Sequence, residues 1–137
     1  MPTVRLLESN VYSFQGTVLV AGSCLATVWP EAFAELAWQA DVVAELCLEA
    51  AHLNMAVAKI AAILGTGRVK RLLFASVDRS PHCTQLHYIK HEIERTLPEH
   101  IPIEDYVVDR GRIVAVSDDA IERSKSLARL VEEMEAR

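Results

Sequence analysis

The sequence predicts one small α/β domain: a mixed sheet with parallel core strands, closed by a C-terminal β-hairpin and a helix. Three observations predict it. Two continuous apolar runs, residues 17–21 and 71–77, read as strands buried on both faces. Helix-forming stretches with few breakers follow each of them, at residues 31–64 and 81–96. Strands therefore alternate with helices, as parallel pairing requires. Lastly, residues 103–108 and 112–116 flank Asp109-Arg110-Gly111, a hairpin signature with a glycine turn.

In chain order, residues 4–7 and 11–14 are short β-favouring runs separated by Glu8-Ser9-Asn10, and they predict a hairpin. Strand 17–21 follows Gly16 and ends at Gly22-Ser23-Cys24. Pro30 opens a helical region, since proline is tolerated in a first turn. Residues 31–64 predict two helices, with Asp41 as N-cap of the second and Gly65-Thr66-Gly67 as its stop. Helix 41–64 carries apolar residues on nearly every face, among them Val43, Leu46, Leu53, Val57 and Leu64. Such a helix is covered on most sides. It predicts a homo-oligomer with helix 41–64 at the interface, because monomers rarely expose so large a patch. Strand 71–77 ends at Asp78. Ser80 then stands as N-cap of a helix with Pro81 at its first position, which Leu97-Pro98 ends near Thr96. After the hairpin, Asp119-Ala120-Ile121-Glu122 matches a capping box. It opens a last helix with Ile121, Leu127, Leu130, Val131 and Met134 on one face.

Composition narrows the function classes. A chain of 137 residues, 51% hydrophobic, is long enough for one core without staples. The net charge of −5 and the lack of a basic stripe argue against a nucleic-acid partner. The most apolar segment, residues 42–64, carries Glu45, Glu49, His52, Asn54 and Lys59, too many polar groups for a bilayer core, so no membrane partner is expected. The first apolar run begins only at Thr17, and a strand explains it better than a signal peptide. The 3 cysteines, Cys24, Cys47 and Cys83, show no paired spacing. They fit reduced thiols and a cytoplasmic protein.

The chemistry concentrates in two loops that follow apolar strands. Ligands of open α/β sheets bind beyond the carboxyl ends of the strands, where loops enter helices. One loop is Gly22-Ser23-Cys24. The other is Asp78-Arg79-Ser80-Pro81-His82-Cys83. With Ser80 as N-cap, Cys83 falls in the first helical turn, where the terminus favours a thiolate or a bound anion. His82 adds a proton donor. Cys83, His87 and His91, spaced by four, form a ridge on one helix face.

Several readings stay open. The leading one is an oligomeric module that binds a small anionic ligand or a cofactor of unidentified kind. Its set is Gly22, Ser23, Cys24, Asp78, Ser80, His82 and Cys83. A second is an enzyme using Cys83 as thiolate with His87 or His82. A third is a structural component of a larger complex. A soft-metal chelate from Cys83 and His87 is weighed too, but no resident metal is expected. The bland alternative makes Cys83 a small packed residue and the histidines surface polars. Cys47 reads as inert within a buried helix, Trp29 and Trp38 as core or interface, and His52 as a satisfied polar group.

Two resemblances add to this. Cys47-Leu48-Glu49-Ala50 followed by Ser80-Pro81-His82-Cys83 resembles the zinc nucleoside deaminases, whose signature places x-Glu on one helix and P-C-x-x-C at the next. Here His82 and Leu86 stand where the two motif cysteines belong, so the zinc ligands are missing. Over roughly residues 53–124, the run Leu53-Asn54-Met55-Ala56-Val57-Ala58-Lys59-Ile60, then Val69-Lys70-Arg71-Leu72-Leu73-Phe74, the loop to His82, and Asp119-Ala120-Ile121-Glu122-Arg123 resemble the corrinoid-carrying α/β component of the methanogen tetrahydromethanopterin S-methyltransferase. That family's loop carries Gly-His where this chain has Pro81-His82. The resemblance implies a Rossmann-like helix-strand alternation and a corrinoid surface near His82.

Overall fold

The computed structural model describes residues 3–136. Its strands are β1 (Thr3–Arg5), β2 (Gly16–Gly22), β3 (Val42–Leu46), β4 (Val69–Val77), β5 (Ile103–Asp109) and β6 (Arg112–Val116). Its helices are α1 (Leu25–Val28), α2 (Pro30–Ala37), α3 (Leu53–Gly65), α4 (Pro81–Thr84), α5 (Ile89–Thr96), α6 (Asp118–Ser124) and α7 (Leu127–Glu135). The strands form one sheet in the order β1-β3-β2-β4-β5-β6. Every pair is parallel except β5–β6. The α/β class, the mixed sheet and the C-terminal hairpin are as the sequence predicts.

The continuous apolar runs have their cause in two covered faces. On one face Val18, Val20, Leu72 and Phe74 pack with Ala56, Ile60 and Ile63 of α3 and Ile89 and Ile93 of α5. On the other, Leu19, Ala21, Leu73 and Ala75 pack with Leu25 of α1 and Ala32 and Leu36 of α2. Successive residues of a strand point to opposite faces, so residues 18–21 of β2 and 72–75 of β4 are apolar in both registers. The β5–β6 turn uses Arg110 and Gly111, at φ 53 and 82. Two consecutive positive φ values are what a two-residue hairpin turn needs, which explains the glycine.

Several expectations are corrected. Residues 4–7 and 11–14 form no hairpin. β1 pairs in parallel with β3, and Leu6–Glu8 and Val11–Ser13 are 3-10 turns that cover the core with Leu6 and Phe14. The predicted helix 41–64 is a strand, a turn and a shorter helix. A short apolar run cannot be assigned by periodicity, and here the β-branched Val42-Val43 and two free strand edges won. Asp41 caps no helix; its Oδ2 accepts the N–H of Thr17 at 2.9 Å. The oligomer argument built on helix 41–64 falls with it, because Val43 and Leu46 are buried strand residues.

Further corrections concern helix ends. The stretch 81–96 is α4, a 3-10 turn at Gln85–Tyr88, and α5. The capping box at Asp119 is displaced as well. Ser117 Oγ accepts from the N–H of Ala120 at 3.1 Å, and Ser126 Oγ restarts the chain as α7 by accepting from Arg129 at 3.2 Å. Trp38 is not core, being 91% exposed in the single chain, whereas Trp29 packs against the α2 side of the core.

Candidate functional site

The chain leaves β2 through α1 and α2 towards one face of the sheet. It leaves β3 through α3, and β4 through α4 and α5, towards the other. Neighbouring strands whose connections diverge open a crevice at their carboxyl ends. In this fold the crevice lies at the end of β2, flanked by β3 and β4.

One small cavity occupies it, about 40 Å3, lined by Gly22, Ser23 and Cys24 after β2, Leu46, Cys47, Leu48 and Glu49 after β3, and Ser80, His82, Cys83 and Leu86 after β4. Six residues of the predicted set therefore meet in one place. Gly22 has a specific reason to lack a side chain. A Cβ there would lie 3.1 Å from Cys83 Sγ, so the glycine admits the thiol against the end of β2. The N–H of Ser23 donates to Leu46 O at 3.1 Å, tying the first two loops together. At the rim, His82 Nε2 stands 3.8 Å from Glu49 Oε2, with both side chains more than half exposed. Such a pair contributes little to stability. A shallower groove of about 420 Å3, lined by Arg5, Leu7, Glu45 and Ala50, continues from the cavity through the shared residues Ser23, Leu46 and Cys47.

Asp78 and His87 are not part of this cavity. The N–H of Asp78 donates to Val108 O at 3.0 Å, which draws the turn towards β5. Arg79 beside it takes φ 72 and pairs with Asp109 at 3.5 Å. His87 is turned into the interior. Its Nε2 is 2.6 Å from Ser76 Oγ and its Nδ1 is 2.7 Å from Asp105 Oδ1, and all three residues are buried. The expected ridge of Cys83, His87 and His91 does not exist, because the chain tightens to 3-10 geometry at residues 85–88 and the spacing of four no longer keeps one face. His91 instead meets Glu122 Oε1 at 2.8 Å. With Ser76 and Asp105 engaging both ring nitrogens, His87 has none left to serve Cys83 as a base.

The predicted helix terminus is also weaker than expected. Pro81 does open a helix after Ser80, but the Ser80 side chain makes no cap hydrogen bond and the α-helical turn lasts only through Thr84. Peptide dipoles add along a helix, so one turn supplies only a fraction of a full terminus.

Sequence reasoning missed two parts of this region. The β3 loop was hidden because residues 41–64 read as one helix, which also made Cys47 look inert. The buried trio was hidden in strands. Its signal was a polar residue at an inward position of each apolar run, Ser76 in β4 and Asp105 in β5. His52, in turn, caps α3, its Nδ1 accepting from the N–H of Asn54 at 3.1 Å. Among the described residues, no group of three His, Cys, Asp or Glu side chains is arranged to hold a metal ion, and no helix is long and apolar enough to cross a membrane.

A family model described as a Rossmann-like domain matches residues 14–136. No curated protein and no solved structure matches the chain.

Proposed function

We propose, from the premise that the chain belongs to the Rossmann-like domain family, that it is a binding module for a small anionic molecule or cofactor, seated where the loops after β2, β3 and β4 meet. The observation that carries this reading is the convergence of those three loops on one cavity at the point where the sheet's connections diverge. Family membership alone would not carry it, since one fold serves many functions. Arg5 lines the groove, where it pairs with Glu8 and Glu45, and the His82 ring lies at the rim beside Glu49; these two side chains are the hydrogen-bond donors offered to an anion. The groove, not the 40 Å3 cavity, has the volume of a small-molecule site.

The ligand is not a dinucleotide held in the usual way. The loop after β2 reads Gly22-Ser23-Cys24-Leu25-Ala26-Thr27, with one glycine where a pyrophosphate seat uses three. Nor do we extend the reading to a corrinoid, because the cavity beside His82 is far smaller than a macrocycle. An amide NMR titration with adenosine 5′-monophosphate and with inorganic phosphate tests the proposal. Shifts should concentrate at residues 22–24, 46–49 and 80–86. No shifts, or shifts confined to the cavity at the opposite strand ends beside Gly65, Lys70 and Pro98, overturn it.

Association of two copies is a second reading, favoured now by α7 and not by residues 41–64. Leu127, Val131 and Met134 are exposed along one face of that helix. Arg129 lies early in it and Glu132 and Glu135 lie late, so two antiparallel copies would set unlike charges side by side.

A further inference from the structure

In the sequence, Cys24, Cys47 and Cys83 lie far apart with no pairing pattern. In the fold, these 3 cysteines, all that the chain has, line a single cavity whose walls come from three different loops. The binding reading gives these thiols no role of their own. Their accessibility is graded. Cys24 is exposed, while Cys47 and Cys83 are half-buried. The register of β2 and β3 ends with Gly22 opposite Leu46, and the Ser23–Leu46 hydrogen bond continues the contact one step further. Cys24 and Cys47 therefore leave adjoining strand ends. All three cysteines lie on the walls of this one cavity of about 40 Å3.

The geometry points to a thiol redox site in which a hydroperoxide oxidises Cys24 and Cys47 closes a disulfide with it. The Cys24 thiolate attacks the peroxide oxygen; the O–O bond breaks, the leaving group takes up a proton as water or alcohol, and Cys24 becomes a sulfenic acid. The Cys47 thiolate then attacks that sulfur, forming the S–S bond and releasing the hydroxyl as water. In total, two thiols lose two hydrogens and one peroxide is reduced. Cys83 stays reduced, its sulfur held against Gly22. The ligand of the binding reading takes no part, so the two proposals stand or fall separately.

The test exposes the reduced full chain to one equivalent of hydrogen peroxide, alkylates it in denaturant, and maps the peptides by mass spectrometry. The expected product has lost two hydrogens, carries a Cys24–Cys47 cross-link and alkyl only on Cys83, and reverts with dithiothreitol. In Cys47→Ser the resolving step is removed, so Cys24 should give a dimedone adduct that the unmodified chain lacks. Three alkylatable cysteines after peroxide, a cross-link through Cys83 or between chains, or Cys24 oxidised on to sulfinic acid in the unmodified chain would each overturn the proposal.

Discussion

His87 is bound to Asp105, Nδ1 to Oδ1 at 2.7 Å, in the interior beneath the candidate site and not on its surface. The imidazole spans from β5 to β4, because Nε2 meets Ser76 Oγ at 2.6 Å. Asp105 faces the same side of the sheet as Phe74, its register partner, so the carboxylate lies under the 3-10 turn that carries His87. The residue before His87 is Leu86, a wall of the cavity. The trio therefore anchors the β4 side of the site from below. The atoms match the order of a hydrolytic triad, but Ser76 is 1% exposed, and no substrate can reach its hydroxyl as folded.

Replacing Asp105 by alanine should leave His87 buried without its acceptor. The expected loss is about 1–3 kcal/mol, measured by urea unfolding. The amides of Cys83 and Leu86 should shift in the same variant. A loss under about 0.5 kcal/mol with unchanged amides would show that the trio does not anchor the turn.

Gly22→Ala should disturb Cys83 more than the backbone. The new Cβ would stand 3.1 Å from Sγ, so the thiol has to give way, while the glycine has no positive φ to preserve. Overpacking of this kind costs about 1–3 kcal/mol. The expected signature is that loss together with faster alkylation of Cys83. Unchanged alkylation would mean that the thiol does not rest against β2.

Acid should reach the β4–β5 side of the sheet late. The hydrogen bond from Arg71 holds Glu104 down at about 2, with a further hydrogen bond from Tyr106. Because the folded value lies below the ordinary one, this contribution is present above about pH 4.5 and is lost as pH falls towards 2. The pair is about one-third exposed, so its magnitude is modest. Glu104→Gln should flatten the stability profile between those pH values and leave its shape above pH 5 unchanged. Identical acid limbs in the two proteins would contradict the pairing.

Light scattering should give a mass of about twice 15.2 kDa at micromolar concentration if α7 mediates association. Replacing Leu127 and Met134 together by glutamate should return the chain to 15.2 kDa without loss of helix. A native mass of 15.2 kDa from the start would remove the self-association reading.

By itself the sequence determined the α/β class, strands β2 and β4, the β5–β6 hairpin and the two loops that line one cavity. Each rests on a local cause: apolar runs that only doubly covered strands tolerate, a glycine for positive φ, and a proline where a helix begins. Tertiary structure decided the rest. Residues 42–46 became a strand because β2 and β1 offered hydrogen-bonding edges, which no window on the sequence can register. His87 left Cys83 for Asp105, eighteen residues away, and for Ser76, because a buried polar group needs partners and these two stand on strands of the sheet. The meeting of Cys24, Cys47 and Cys83 belongs to the same class. Proximity between residues distant in sequence is set by strand order, and strand order is settled by which surfaces bury one another.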